Sequence, residues 1–208
     1  MKSAPPRMTI TLVAVVAASY FLIAAMGKTD VAGAVAGFIP ARLSGLIVVG
    51  ALPVWLTPFT STLLHANALH LGFNLLMLGY CGREDEVALG PAGVVSLFFL
   101  GALAAAAAQF IAGPHSTAPM EGASGAISSL VGAYSVLYGQ RRPSRFSPEV
   151  ARWLHIAWLA AAWVAVQLLL GLASATQGIA VAAAAHIGGF IAGLILARPL
   201  LRWRYRKA

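Results

Sequence analysis

The chain has 208 residues, 60% of them hydrophobic and 10% charged, with a mean hydropathy of +0.83. A soluble domain carries about 25% charged residues, so the composition excludes an ordinary water-facing globule and indicates an all-α, polytopic membrane protein with a single domain over 1–208. The formal charge of +8 does not indicate a nucleic-acid partner, because the basic residues sit at the ends of apolar runs, where topology determinants and contacts to anionic lipid belong.

Six apolar segments follow along the chain, at roughly 8–26, 59–80, 91–112, 123–140, 153–172 and 179–200. A bilayer span needs about 20 predominantly apolar residues. The first segment follows Lys2 and Arg7, as the apolar core of a signal peptide would. Its run of about 19 residues exceeds the usual core of about 7–15, which predicts a retained helix. The connection 27–58 is too apolar for an aqueous loop, and Gly residues with Pro40 and Pro53 break it. It is expected to form a partly embedded outer hairpin, its irregular backbone covered by protein or water.

The single cysteine, Cys81, excludes an intramolecular disulfide and a cysteine metal cluster and reads as a small buried residue. The alanine-rich tract 102–108 reads as a close-packing surface. Gln109 and Gln167 are expected to hydrogen-bond between helices, His115 to be solvated, and Trp153, His155 and Trp158 to form an interfacial belt.

Lysine and arginine set the orientation. Lys2, Arg7, Arg83, Arg141, Arg142, Arg145, Arg152, Arg198, Arg202, Arg204, Arg206 and Lys207 fall on one side of a six-span chain; only Lys28 and Arg42 fall on the other. Both termini are therefore expected in the cytoplasm, and the basic C-terminal run reads as topology and lipid contacts.

Polar groups inside a bilayer are costly, so each needs a reason. Three clusters stand out: His65, His70 and Asn74 near the start of the second segment, Gly122–Gly125 around Ser124 at the start of the fourth, and His186 near the start of the sixth. All three segments begin on the outer side. At about 1.5 Å per residue, His70 is expected about 16 Å into its segment and His186 about 10 Å into its own, close enough in depth to meet Ser124. His70 and Asn74 are four residues apart and share a helix face. His186, Gly189 and Gly193 share another, whose Gly-x3-Gly step admits a neighbouring backbone closely.

Acyl transfer fits this set. A serine hydroxyl needs a base, which His186 supplies for Ser124. The tetrahedral oxyanion needs preorganised donors, which the Ser124 N–H, His70 and Asn74 supply. No acidic residue lies at a matching depth, which predicts a dyad; Glu121 is the one nearby carboxylate and is expected to face outer water or a backbone donor.

These residues resemble the rhomboid family of intramembrane serine proteases. His-x4-His-x3-Asn is present as His65, His70 and Asn74; Gly-x-Ser-Gly as Gly122, Ala123, Ser124 and Gly125; and Ala-His-x2-Gly-x3-Gly as Ala185, His186, Gly189 and Gly193. Gly-x3-Glu-x3-Gly is present as Gly82, Glu86 and Gly90, and the stretch 56–65 is similar to the loop entering the second helix. The resemblance implies a six-helix bundle with Ser124 as nucleophile, His186 as base, and His70, Asn74 and the Ser124 amide as oxyanion hole. It implies structural roles for His65 and Glu86, transmembrane proteins as substrates, and no metal or organic cofactor. It points to a bacterial inner membrane with the site open to the outer side, and leaves substrate identity and oligomeric state open.

The chain departs from the pattern in three places. Many members carry an aromatic residue one turn after the serine, against the histidine; here it is Ser128, leaving Ser128 or water to hold His186. Leu56–Thr57 stands where many carry Trp-Arg, and Glu121 is unusual beside the serine. Two other classes are weighed against the protease: a catalytically silent relative that binds transmembrane segments, against which the intact dyad argues, and a small transporter, against which the absence of an internal repeat argues.

Overall fold

The computed structural model describes residues 5–138, 147–175 and 183–206, apart from the side chains of Asp30 and of residues 167, 168 and 170–175. The expectations for Lys2, Arg141, Arg142, Arg145, Lys207 and the Gln167 side chain lie outside the described residues. The described chain is helical, with one isolated antiparallel bridge between Phe38 and Met120.

The helices are α1 (Arg7–Ala25), α2 (Thr29–Ala36), α3 (Thr57–Thr60), α4 (Ala68–Ala112), α5 (Ser124–Leu137), α6 (Pro148–Ala175) and α7 (Ala183–Arg204). Stretches of α1, α4, α6 and α7 are long and apolar enough to cross a membrane. Helix α4 is two antiparallel neighbours joined at a corner. Gly90 leaves the helical region with φ 76°, and Pro91 follows. A glycine just past one helix end and a proline just inside the next is the arrangement each residue's backbone favours. The arms, 68–89 and 91–112, are the second and third expected segments.

The second segment begins later than expected, at Ala68 rather than near 59. Residues 57–63 form α3, with Pro58 in its first turn, and a 3-10 turn over Ser61–Leu63; Leu64 is then extended. Asn67 restarts the helix: its side chain accepts the His70 N–H at 2.8 Å, satisfying one of the free amides of the first turn. His70 therefore stands in the first turn of α4, not several turns inside it.

Two charged side chains close helix ends at the opposite side of the bundle. The Glu86 carboxylate accepts the N–H of Met8 (3.0 Å) and of Thr9 (2.7 Å) and the Thr9 hydroxyl (2.7 Å). It thus caps the start of α1, where Pro6 makes no side-chain cap. Arg204 donates to the carbonyls of Glu86 and Val87, which end the first arm of α4. The expectation that Arg204 serves only topology and lipid is corrected by this contact. With Val16 buried and Gly82 set against Thr9, α1 is docked on α4.

Helix α5 is the axis of the bundle. Its 14 residues rise only about 21 Å, and all but three are buried. Glycines and alanines make this crowding possible. A Cβ at Gly189 would overlap the Gly125 carbonyl, one at Gly193 the Ser129 carbonyl, and one at Gly132 the Phe190 carbonyl. Helices α5 and α7 therefore meet backbone to backbone. The alanine tract performs the expected packing: Ala105 lies against Gly125, and Ala104 and Ala108 against Gly188. Helix α6 is peripheral; Ile156 and Trp163 are its buried residues among those described.

The connection between α2 and α3 is irregular and exposes Ile47, Val49 and Trp55. Phe38 exchanges both backbone hydrogen bonds with Met120, and Ala41 N–H donates to the Ser116 carbonyl. The connection between α2 and α3 is thereby sewn to the loop that delivers Ser124. His115 in that second loop is exposed, as expected, and Trp153 and Trp158 on α6 are exposed too.

Candidate active site

Ser124 is the first residue of α5, and His186 lies in the first turn of α7. Because Gly189 sits on the Gly125 carbonyl, the two helix starts are drawn together. Ser124 Oγ lies 2.8 Å from His186 Nε2, with both residues 5% exposed. For the hydroxyl to donate, Nε2 must be the unprotonated nitrogen, which places the ring proton on Nδ1. Nδ1 is buried and has no hydrogen-bond partner among the described residues.

The turn before Ser124 is built for a second group of side chains. Gly122 has φ 112°, a conformation that other residues rarely adopt. Its N–H donates to the Ser61 carbonyl at 2.9 Å, fixing the turn to the 57–63 segment. A Cβ at Gly122 would stand 2.6 Å from His70 Cε1, 2.7 Å from His70 Nε2 and 3.5 Å from Asn74 Nδ2. The missing side chain is thus the space that His70 and Asn74 border, two residues before the serine. Asn74 is 2% exposed, and its Nδ2 donor has no partner among the described residues. The Ser124 N–H is among the first amides of α5, which lack intrahelical acceptors. His70, Asn74 Nδ2 and the first amides of α5 thus border the Gly122 turn, two residues before Ser124.

His65 supports this turn from below. Its Nε2 accepts the Ala123 N–H over 3.5 Å, and its ring packs edge-on to His70 with centroids 5.1 Å apart. It precedes α4, and burial, reinforced by the neighbouring His70, pushes its pKa down to about 3. His65 is therefore a neutral ring at physiological pH. With His65, Glu121 lines a small cavity against Tyr20 and Thr29, and its carboxylate lies against Gly33 of α2.

Gly125 makes room for α4 rather than for α7. A Cβ there would meet Ala105 Cβ at 2.7 Å, on α4, before it met Ala185 at 4.0 Å on α7. The close approach of the His186 helix depends on Gly189 and Gly193. Glu86 lies at the far end of the first arm of α4, bound to α1, and takes no part in the site.

Ser128 is not available to hold His186 through its proton. Its hydroxyl donates to the Ser124 carbonyl at 2.7 Å and accepts the indole N–H of Trp163 at 2.7 Å. In the sequence Trp163 is one apolar residue within a span. The available signal was its N–H, since a buried indole requires an acceptor. Among the described residues there is no group of three His, Cys, Asp or Glu side chains placed to hold a metal ion.

A family profile, the rhomboid domain, matches residues 53–203. The rhomboid protease GlpG of Pectobacterium atrosepticum is 30% identical over 142 residues, covering 67% of this chain and 46% of that protein. The protein of the same description from Serratia proteamaculans is 32% identical over 136 residues, 64% of this chain and 44% of its own. That from Yersinia pestis (strain Pestoides F) is 31% identical over 136 residues, with the same shares. The chain spans about half the length of the curated relatives it matches.

Proposed function

The chain belongs to the rhomboid family, and from that premise we propose that it is an intramembrane serine endopeptidase working through a Ser124–His186 dyad. The observation that carries this reading is the buried 2.8 Å contact between Ser124 Oγ and His186 Nε2.

Ser124 Oγ attacks the scissile carbonyl as its proton passes to Nε2 of His186. The carbonyl oxygen becomes an oxyanion, held by the Ser124 N–H, Asn74 Nδ2 and His70. Collapse of the tetrahedral species breaks the C–N bond, and the imidazolium returns its proton to the leaving amine. Water then attacks the acyl-enzyme with His186 again as base, releasing the acid and restoring the serine. The dyad supplies all the proton transfers, so the chemistry calls for no metal or organic cofactor.

The substrates are transmembrane proteins, cut in or near a membrane span. Their helical carbonyls are hydrogen-bonded, so the segment must unwind locally before attack; Gly or Pro near the site eases this. The distribution of basic residues supports a topology with both termini in the cytoplasm and the dyad toward the outer side, where water enters, in what the family resemblance suggests is a bacterial inner membrane.

A serine-directed fluorophosphonate applied to the full chain in membranes tests the reading. Labelling of the wild type that disappears in Ser124→Ala and His186→Ala supports it. Labelling that survives Ser124→Ala overturns it.

A further inference from the structure

One chain of buried hydrogen bonds serves neither a cap nor the proposed oxyanion hole. Ser128 lies one turn after Ser124 and is completely buried. Its hydroxyl has a single proton, given to the Ser124 carbonyl, and its oxygen receives the Trp163 N–H. The two bonds, both 2.7 Å, fix the Ser128 rotor. Ser128 also packs on Gly189, one turn beyond His186 on α7. A side chain from the middle of α6 is thereby tied to the contact layer directly beneath the dyad.

Ser124 needs such a tie. The residue before it, Ala123, gives α5 no side-chain cap, and Gly122 precedes that. Helix ends fray where their first turn is not held. The Ser128 hydroxyl pins the Ser124 carbonyl, and Trp163 keeps that hydroxyl in place. Helix α6 contributes only one other buried residue among those described, Ile156. Drawing α6 away would leave both the indole N–H and the Ser128 oxygen without their partner, in a setting where unpaired polar groups are costly.

We propose that Trp163 is a positioning residue for the dyad: by holding the Ser128 hydroxyl on the Ser124 carbonyl, it makes the seating of α6 against α5 a condition for aligning Ser124 with His186. The inference rests on Ser124 being the nucleophile.

The test is the rate of fluorophosphonate labelling of the purified full chain in lipid vesicles, read beside the thermal unfolding midpoint. Trp163→Phe keeps a ring and loses the N–H; Ser128→Ala loses the bridging hydroxyl. Each is expected to slow labelling about tenfold, as small misplacements of reacting groups do. The double variant is expected to be no slower than the slower single one. Ile156→Ala, which removes apolar volume from α6 but leaves the Trp163–Ser128 bond that seats it, is expected to lower the midpoint and label at the wild-type rate. The proposal is overturned if Trp163→Phe labels like the wild type, if the two effects multiply, or if Ile156→Ala slows labelling as much as Trp163→Phe. If Ser124→Ala labels like the wild type, the dyad reading itself falls and the inference with it. If wild-type labelling requires Ser124 and is indifferent to Trp163, only the inference falls.

Discussion

Gly189 of α7 rests on the backbone carbonyl of Gly125 in α5, with no room for even a methyl group between them. The contact lies one turn from His186 and one residue from Ser124, so it sets the separation of the two reacting groups. Gly189→Ala must push the helices apart. Overpacking of this kind typically costs about 1–3 kcal/mol, and here the displacement falls on the dyad. The expected result is a lowered unfolding midpoint together with at least a tenfold loss of fluorophosphonate labelling. Alanine at Gly72, which has open space around it, is expected to change neither.

Gly122→Ala tests the turn separately from the helix packing. The left-handed φ strains any other residue by about 1–2 kcal/mol, and the new methyl would collide with the His70 ring. The helices themselves are not touched. The variant is expected to keep its helical circular dichroism and to lose labelling by about a hundredfold, the scale on which oxyanion donors act. Wild-type labelling in this variant would mean that the space between Gly122 and His70 has no part in the reaction.

Asn74→Ala removes a buried donor that makes no other hydrogen bond among the described residues. Its loss leaves nothing unpaired, so stability should change little beyond the lost volume. Removing one oxyanion donor costs roughly 10²–10³ in kcat. Proteolysis of a transmembrane substrate is expected to fall by that order in kcat, with KM nearly unchanged. A rise in KM at constant kcat would assign Asn74 to substrate binding instead.

Much of this arrangement could be read from the sequence because polar residues are rare in it. Ser124, His186, His70 and Asn74 stand out against apolar surroundings, and each must be satisfied or used. The start of α4 is hidden in the sequence for the opposite reason. The stretch 59–64 continues the apolar run, and hydropathy does not register that Asn67 caps a new helix or that Leu64 is extended. That Gly125 faces Ala105 of α4 is not legible either, because the sequence shows that a position is small, not which helix it faces. In the sequence Arg204 is one more basic residue at a membrane edge. Its target, the end of the first arm of α4, is created by the corner at Gly90 and exists only in three dimensions.

Glu86 and Arg204 make a stability prediction independent of catalysis. Glu86→Gln keeps the size and loses the charge that meets the free amides of α1. Charge at a helix start is worth about 0.3–1 kcal/mol when exposed and up to about 2 when partly buried, so a loss near the upper figure is expected at this buried position. Arg204→Ala should also destabilise, by uncovering the carbonyls at the corner. Neither residue is near the dyad, so the folded fraction of each variant should label at the wild-type rate. A lower rate at full folding would mean that the far end of the bundle is coupled to the site.

His65 gives the stability a pH dependence whose sign can be worked out. Its pKa is about 3 in the folded chain against 6.5 in an unfolded one. Above pH 6.5 the ring is neutral in both states and contributes no slope. Between 6.5 and about 3 the unfolded chain takes up a proton that the folded chain refuses, so stability falls as the pH falls, by about 1.4 kcal/mol per unit for one proton. His65→Asn removes that proton while keeping a polar side chain of smaller size. Its stability at pH 7.5 is expected to be lower, because the contacts to Ala123 and His70 are lost. Its decline from pH 6.5 to 4.5 is expected to be shallower than that of the wild type. Denaturant titrations in detergent at pH 7.5, 6.0 and 5.0 measure both quantities. Parallel wild-type and variant curves would show that His65 does not carry this slope.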